Sequence, residues 1–282
     1  MINGIIPMYK PKNWSSFDVV NIIKQLLHER KVGHLGTLDP MATGVLLVTV
    51  GSATKLFDIM QQKTKRYIAT FKFGVLTDTL DTMGKIVDTN KTIPTLSQIE
   101  EVIPKFIGWI DQIPPKYSAK SINGKRAYEL ARNNVEFELK AKNVFIKNIK
   151  IIEYANDELK LDIECGSGTY VRSIGRDIAE SLNTYATMTS LVRTSIDDFN
   201  LEDCNNIADL NERNIKEKII PLNKLLKYPE IKADSNLLFR FLNGQTVITE
   251  LADGLYKLNE DETTKAIVEV KKNKAKMKIF LV

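Results

Sequence analysis

A glycine-rich segment that runs straight into an apolar strand constrains this chain more than any other feature. Residues 33–44 read Gly-His-Leu-Gly-Thr-Leu-Asp-Pro-Met-Ala-Thr-Gly, and residues 45–48, Val-Leu-Leu-Val, follow at once. A short, β-branched apolar run bounded by glycine predicts a buried strand. Pro40 biases Asp39 towards extended backbone, and the glycines permit tight turns or close approach to a ligand. The pattern therefore predicts an acid displayed in a loop beside a buried strand.

Asp39 has two interpretations on these grounds alone. It is the only carboxylate between Glu29 and Asp58, in a chain of formal net charge +5. Asp-Pro pairs commonly open turns, so one interpretation is purely structural. The other is an acid held for chemistry, and the whole segment favours this second interpretation.

The segment resembles the catalytic signature of the tRNA pseudouridine-55 synthases, the TruB family, whose pattern is approximately G-H-x-G-T-L-D-P-x-A-T-G-V-L. The order of residues is unusual and the run is long. One departure is Leu35, where many members carry Thr or Gly.

Further segments resemble the family in the same order and cover nearly all of residues 3–228. They are Lys10-Pro11 with Trp14-Ser15-Ser16, Lys65-Arg66-Tyr67, residues 77–84 (Thr-Asp-Thr-Leu-Asp-Thr-Met-Gly), residues 114–119 (Pro-Pro-Lys-Tyr-Ser-Ala), residues 165–173 (Cys-Gly-Ser-Gly-Thr-Tyr-Val-Arg-Ser) and residues 191–194 (Leu-Val-Arg-Thr). Asn13 and Ser15 stand where the family usually has Gly and Thr. Two lysines usual in the family are displaced or absent at Ser121 and Ser167.

Composition restricts the class of protein. The chain has 282 residues, 43% of them hydrophobic and 27% charged, which is ordinary for a soluble globular protein with a sizeable core. We find no apolar run of the roughly 18 residues that span a bilayer and no signal-peptide layout. Cys165 and Cys204, with His28 and His34, give neither a disulfide scaffold nor a zinc spacing. We therefore expect a cytoplasmic protein with a metal-free site.

Strands and helices are interspersed without a regular βαβ repeat, which favours an α+β fold with a mixed or antiparallel sheet. The resemblance implies a pseudouridine-synthase-type fold, with a mixed, largely antiparallel sheet flanked by helices. The predicted helices cover residues 17–30, 96–110, 124–133 and 170–182. The predicted strands cover residues 45–48, 67–75, 144–154 and 159–165, the last two as a pair.

A composition shift near Tyr228-Pro229 predicts a boundary between residues 1–228, a catalytic domain, and residues 229–282. The second segment resembles a small β-rich RNA-binding module of the PUA type, although it is short for one. Its end is dense in lysine, and the sequence pI near 8.9 favours a polyanionic partner. The alternative is that the lysines only flank a C-terminal strand that has no binding role.

Charge arguments identify partners for Asp39. A carboxylate close to RNA needs a local cation, and the guanidinium fork of Arg172 is the candidate. The alternative is that Arg172 contacts solvent or phosphate. Asp78 and Asp81 are too few ligands to indicate a metal site. Asp81 matches the active-site network of the family better than Asp78 does.

The resemblance also implies roles for other side chains. Tyr67 would stack on the target base, while Tyr170 and Leu191 would line the same pocket. His34 would contact the folded T-loop of the RNA. Lys10 would support the site from the Lys-Pro motif.

The activity that the resemblance implies is isomerisation of uridine 55 in the T-arm of tRNA. The base is flipped out, Asp39 acts as the nucleophile, and Tyr67 assists proton transfer. Asp39 either attacks C1′ or assists loss of a ribose proton, and no residue is marked as the base that removes the C5 proton. We expect no organic cofactor, no obligatory protein partner and a monomer.

Two other interpretations stay open. One is a non-catalytic RNA-binding protein with the same fold, against which the intact Asp39, Tyr67 and Arg172 argue. The other is a guide-RNA-dependent synthase of the archaeal and eukaryotic type. The full segment 114–132 and the short C-terminus favour the stand-alone bacterial form.

Overall fold

The structure, a computed structural model, describes residues 3–57, 59, 63–118, 120–122, 124–133, 135–261 and 263–281. Ala119, which ends the Pro-Pro-Lys-Tyr-Ser-Ala segment, lies outside these residues, as do positions 262 and 282 of the predicted C-terminal module. The strands are β1 (Gly4–Lys10), β2 (Val32–Leu35), β3 (Thr43–Val50), β4 (Lys65–Phe73), β5 (Val75–Thr77), β6 (Ile86–Thr89), β7 (Gly108–Gln112), β8 (Ser121–Ile122), β9 (Lys125–Arg126), β10 (Lys142–Ala155), β11 (Glu158–Cys165), β12 (Ala186–Ile196), β13 (Phe199–Asn200), β14 (Ile220–Pro221), β15 (Glu230–Lys232), β16 (Val247–Ile248), β17 (Gly254–Glu260), β18 (Thr263–Lys271) and β19 (Lys274–Phe280). The helices are α1 (Ser16–Leu27), α2 (Leu96–Val102), α3 (Ala127–Arg132), α4 (Val171–Ser181), α5 (Leu222–Leu225) and α6 (Ser235–Leu242).

One large mixed sheet organises the fold, as the sequence predicts. Its order is β14-β1-β3-β12-β4-β11-β10-β7, with β2 on β3 and β13 on β12. Every pairing is antiparallel except that of β3 with β12, which is parallel. The strand predicted at residues 45–48 is the fully buried centre of β3.

Helix α4 packs directly on the middle of this sheet. Gly175 allows the close approach, because a Cβ there would overlap the ring of Phe71 on β4. Ile174 and Ile178 on the helix join Phe71 in the main apolar core. This packing fixes the first turn of α4, which carries Arg172, over the sheet.

The predicted helix 96–110 is wrong at its C-terminal half. Helix α2 ends at Val102, a 3₁₀ turn follows over Ile103–Phe106, and Ile110 lies on strand β7. Pro104 explains the change, because proline lacks the N–H that a continued α-helix needs. Periodicity alone could not separate Ile110 from the helical stripe.

The predicted basic helix 124–133 is also shorter than expected. Strands β8 and β9 pair antiparallel, and α3 begins only at Ala127. Gly124 has a φ of +83°, outside the right-handed helical region, which explains why no helix starts there.

A second, five-stranded sheet of order β15-β17-β18-β19-β16 forms the C-terminal part of the chain. Its curled shape is that of a PUA-like module, and its first strand begins at Glu230. The second sheet packs against the large one, since Ile267 and Leu281 lie in one apolar cluster with Ile5, Leu35 and Leu47.

Candidate active site

The loop between β2 and β3 holds Asp39 by its two neighbours in the chain. The backbone N–H of Leu38 donates to the hydroxyl of Ser16 at 2.9 Å, and that hydroxyl donates to the Leu38 carbonyl at 3.2 Å. The carbonyl of Pro40 accepts from the backbone N–H of Asn13 at 2.8 Å. Asp39 is therefore fixed by contacts that leave its own carboxylate available.

Asn13 and Ser15, which depart from the family pattern, keep the local geometry that the pattern requires. Asn13 has a φ of +67°, a left-handed conformation that Asn tolerates better than most residues other than Gly. Ser15 is the N-cap of α1 and forms a capping box with Asp18. Both substitutions are compatible with a correctly placed Asp39 loop.

Lys10 ties two loops together beneath Asp39. Its side chain is fully buried, and its Nζ donates to the carbonyls of Pro11, Trp14 and Pro40 at 2.9, 2.6 and 3.3 Å. Burial lowers the pKa of Lys10 to about 8, against the opposing charge of Asp39. All three donors of the ammonium are used, so Lys10 supports the loop and balances the charge of Asp39.

Arg172 reaches Asp39 as the charge argument predicts. Its Nε lies 2.9 Å from Oδ2 of Asp39, and its Nη2 lies 3.2 Å from Oδ1. The guanidinium also donates to the carbonyls of Thr79 at 2.8 Å and Tyr117 at 2.9 Å. A planar fork with this many acceptors has one orientation only, which holds the carboxylate in place.

Asp81 completes the network from the other side of the guanidinium. Its Oδ2 lies 3.6 Å from Nη1 of Arg172, while its Oδ1 accepts from the hydroxyl of Thr79 and the backbone N–H of Met83. The buried carboxylate of Asp81 is thus occupied, whereas the Asp39 side chain remains 32% exposed. Of the two acids on Arg172, Asp39 is the one that a substrate can reach.

Opposing effects set the pKa of Asp39. Burial raises this pKa, the charge of Arg172 lowers it, and the second carboxylate, Asp81, raises it again. The net direction is upward from the ordinary value of an aspartate. Arg172 is the main group that favours the ionised form.

Tyr67 and Leu191 lie in the same apolar cluster as Leu38, one residue before Asp39. Tyr67 is 7% exposed on β4, and burial raises the pKa of its phenol. The structure brings both side chains to the region of Asp39. Stacking of a base on Tyr67 remains a prediction.

Tyr170 is held at the N-terminal end of α4 by a residue that sequence reasoning did not single out. The buried amide of Gln112 accepts from the Tyr170 N–H at 2.8 Å and donates to the Tyr170 carbonyl at 3.2 Å. The hydroxyl of Ser173 also donates to the carbonyl of Ile113, which follows Gln112 in the chain. The end of β7 thus positions the turn that bears Tyr170 and Arg172.

His34 is half-buried on β2. Burial, together with the charge of Arg193, lowers the pKa of its imidazole, which favours the neutral ring. Its Nδ1 is buried and has no hydrogen-bond partner among the described residues. A contact between His34 and RNA remains a prediction.

Sequence reasoning missed two side chains at the site, Gln112 and Arg193. Gln112 precedes the Pro114-Pro115 motif, and Arg193 belongs to the Leu-Val-Arg-Thr segment. Neither residue stands out in its strand, because Asp111 lies beside Gln112 and Thr194 and Ser195 follow Arg193. The match of residues 191–194 to the family pattern was a signal for Arg193 only.

Two other kinds of feature are absent from the described residues. No group of three or more His, Cys, Asp or Glu side chains there is arranged to hold a metal ion. In the same part of the chain, no helix is long and apolar enough to cross a membrane.

Comparison with known proteins identifies relatives along most of the chain. The family model "TruB family pseudouridylate synthase (N terminal domain)" matches residues 24–171. A Clostridium tetani protein named tRNA pseudouridine synthase B is 42% identical over 248 residues, 87% of this chain and 86% of that protein. A Clostridium kluyveri protein of the same name is 39% identical over 264 residues, 91% of each chain.

Solved structures agree on the fold. A Cbf5-Nop10-Gar1 complex contains a chain that superposes with a TM-score of 0.72 at 22% identity, covering 98% of this chain and 83% of that one. An H/ACA RNP bound to a substrate RNA containing 2′-deoxyuridine gives a TM-score of 0.71 at 20% identity, with 99% and 85% covered. At these identities the likeness concerns the fold alone.

Proposed function

The chain belongs to the TruB family of pseudouridylate synthases, and we propose on that basis that it converts uridine 55 in the T-loop of tRNA to pseudouridine. The relatives that share 39–42% of their residues with it are named tRNA pseudouridine synthase B. The choice of position 55 rests on the resemblance of the whole segment 33–44 to the signature of that enzyme.

The observation that carries the proposal is the pairing of Asp39 with Arg172. A partly exposed carboxylate is gripped by a buried guanidinium whose other contacts are carbonyls and Asp81. The ion pair favours the carboxylate ion and fixes its direction, as a nucleophile requires. It also offsets the repulsion that Asp39 would feel from the phosphates of an RNA.

The proposed reaction breaks the N1–C1′ bond of uridine, rotates the uracil and forms a C5–C1′ bond. Asp39 starts it, either by attack on C1′ or by assisting loss of a ribose proton. The proton on C5 must then leave. The isomerisation involves no net oxidation or reduction and transfers no group to a second molecule, so the proposed reaction uses no organic cofactor.

The target base must leave the folded T-arm before it can react, at a cost of a few kcal/mol. Tyr67 and Leu191 are proposed to receive it, with Tyr67 as the stacking platform. Aromatic platforms hold a base by roughly 1–3 kcal/mol, enough to offset much of the cost of flipping. Tyr170 is proposed to line the same pocket, and neutral His34 to pack against the T-loop.

The test is incubation of the purified chain with an unmodified T-arm hairpin, without guide RNA or another protein, followed by mapping of pseudouridine. We expect product at the position that corresponds to uridine 55. An Asp39→Asn variant should give no product. Asp162→Asn is its matched control and should react like the wild type, because Asp162 is also paired with an arginine, Arg66, but lies outside the site.

Three outcomes distinguish the alternatives. Product with the wild-type chain alone supports a stand-alone synthase. Binding without product supports a non-catalytic RNA-binding protein. Product only after addition of a guide RNA and partner proteins supports the guide-dependent type, and either of the last two results contradicts the proposal.

A further inference from the structure

Arg193 is the least exposed arginine described in the fold, at 1% of its surface. It lies on β12 directly opposite Tyr67 on β4 in the antiparallel register. Side chains of directly opposed residues project from the same face of a sheet, about 5 Å apart at Cβ. The strand pairing therefore brings a buried cation to the proposed base platform.

The hydrogen bonds of Arg193 fix its guanidinium but do not neutralise it. Nε donates to the carbonyl of Val45 at 2.8 Å, and Nη2 donates to the carbonyl of Gly36 at 3.0 Å. Among the residues that the structure describes, no carboxylate forms a salt bridge with Arg193. Burying a charge without a counter-ion is costly, so a structural role alone explains this arrangement poorly.

Two glycines of the signature segment make room for Arg193. A Cβ on Gly44 would overlap the backbone of Arg193, which pairs with Gly44 where β3 and β12 run parallel. Gly36 has a φ of +88°, which turns the backbone at the carbonyl that accepts from Arg193. The glycines of the segment that contains Asp39 therefore also leave the space and provide the carbonyl that hold the Arg193 guanidinium.

The charge of the guanidinium acts on the Tyr67 hydroxyl. Burial raises the pKa of this phenol, and the positive charge of Arg193 is the largest effect that opposes this shift. Cys165 on β11 and Asp39 also face Tyr67, and both raise its pKa. Arginine can only donate, so the phenol oxygen is the acceptor in this interaction.

We propose that Arg193 is a positioning residue that orients the Tyr67 hydroxyl for the reaction. It occupies a lone pair of the oxygen from the buried side, which directs the hydroxyl proton away from the guanidinium and towards the nucleotide. Its charge also stabilises the oxygen as negative charge develops there. The proposal rests on the proposed function for the identity of the substrate, but the interaction between Arg193 and Tyr67 can be tested without substrate.

The first test measures the phenol directly. Tyr67 is replaced by difluorotyrosine, whose phenol is more acidic and gives a single ¹⁹F signal. Arg193→Met should raise the titration midpoint at position 67 by about one pH unit or more, as loss of a nearby opposite charge does. The same probe at position 154, a tyrosine that donates to Pro94 instead, should not respond. An unchanged midpoint at position 67 overturns the proposal.

The second test is a double-mutant cycle on the single-turnover rate with the T-arm hairpin. Arg193→Met should slow the wild-type enzyme by at least about tenfold. In a Tyr67→Phe background it should cost less than about twofold, because the hydroxyl on which it acts is already gone. An equal loss in both backgrounds would assign Arg193 to the fold and overturn the proposal.

Folding is checked by thermal unfolding of each variant. Arg193→Lys keeps the buried charge and is the second variant, with a smaller midpoint shift expected because the positive charge stays near the phenol. Failure of both variants to fold would make Arg193 chiefly structural and contradict the proposal. If the wild-type chain makes no pseudouridine but the ¹⁹F midpoint moves, the proposed function fails while the interaction between Arg193 and Tyr67 stands.

Discussion

The centre around Asp39 and the C-terminal sheet are both rich in cations, but they place them in opposite surroundings. Lys10, Arg172 and Arg193 are buried, and each has several specific acceptors. The lysines at positions 271, 272, 274, 276 and 278 of the second sheet are exposed. Among the described residues, only Lys278 of this group has an ion-pair partner, Glu269.

This difference separates two uses of charge. Buried cations fix the geometry of the groups around them, whereas exposed lysines contribute only a general attraction to a polyanion. Buried charges interact strongly and leave costly groups behind when a partner is removed. Exposed charges are screened by salt and contribute little individually. Substitutions at the centre should therefore change the rate sharply, and substitutions on the C-terminal sheet should change RNA affinity gradually.

The two regions are nevertheless joined physically. Ser52 donates to the carbonyl of Leu281, Lys55 donates to that of Phe280, and Ile267 packs in the cluster that contains Leu47. Deletion of residues 229–282 would expose this apolar surface of the large mixed sheet to solvent. Lysine substitutions are therefore a cleaner test of RNA binding than truncation.

The largest effect is expected from Asp39→Asn. The amide keeps the shape but removes the nucleophilic charge, so turnover should fall by at least about a thousandfold, roughly 4 kcal/mol. Binding of tRNA should stay within about tenfold, or ~1.4 kcal/mol. Single-turnover kinetics and filter binding measure the two quantities, and substantial residual turnover would remove Asp39 from the catalytic role.

Arg172→Met should rank next, with a decrease of about 10²–10³ in turnover and a smaller decrease in binding. The pKa of Asp39 should rise further without the Arg172 charge, so the acid limb of the pH–rate profile should move to higher pH. Asp81→Asn should move the same limb to lower pH, because it removes a like charge. Arg176→Met, on the same helix, is the control, and an unmoved acid limb in both variants would refute the assignment.

Tyr67→Phe should slow turnover by roughly two decades if the hydroxyl takes part in proton transfer. The ring is kept, so RNA affinity should change little. Tyr67→Ala, which also removes the platform, should weaken binding as well. Full activity in the Phe variant would restrict Tyr67 to stacking, and full activity in the Ala variant would dismiss the pocket.

Gln112→Leu should have a moderate effect that acts through Tyr170 and Arg172. The substitution leaves the Tyr170 N–H and carbonyl unpaired, at a cost of about 1–3 kcal/mol in the free energy of unfolding. Turnover should fall by about tenfold because the first turn of α4 loosens. Chemical unfolding and kinetics check this, with the exposed Gln245→Leu as control; a variant as stable and active as wild type would contradict it.

The smallest effect is expected from neutralising the exposed lysines at 271, 272, 274 and 276 together. The single-turnover rate at saturating hairpin should be unchanged. Affinity for full-length tRNA should fall, and the slope of log affinity against log salt should shrink by about 0.9 for each duplex phosphate that the variant no longer neutralises. An unchanged slope would make the second sheet a structural cap without a binding role.

Local pattern determined much of this protein. The buried strand β3, the capped helix α1 and the loop that displays Asp39 follow from glycine, proline and apolar spacing within a few residues. The pairing of Asp39 with Arg172 was also predictable, because a carboxylate in an RNA site requires a cation and the family resemblance supplied one. The prediction of one helix over residues 96–110 was wrong beyond Val102, where Pro104 follows. The apolar residues keep a helical spacing up to Ile110, so this spacing could not show that Ile110 lies on a strand.

The tertiary structure alone decided which distant groups share one environment. Arg193 and Tyr67 are 126 positions apart and meet only through the register of β12 on β4, and Gln112 meets Tyr170 only because β7 ends beside α4. Strand register and helix packing are set by the whole core, so no local pattern around Arg193 or Gln112 specifies its partner. The acid could therefore be found in the sequence, whereas the groups that orient its surroundings required the fold.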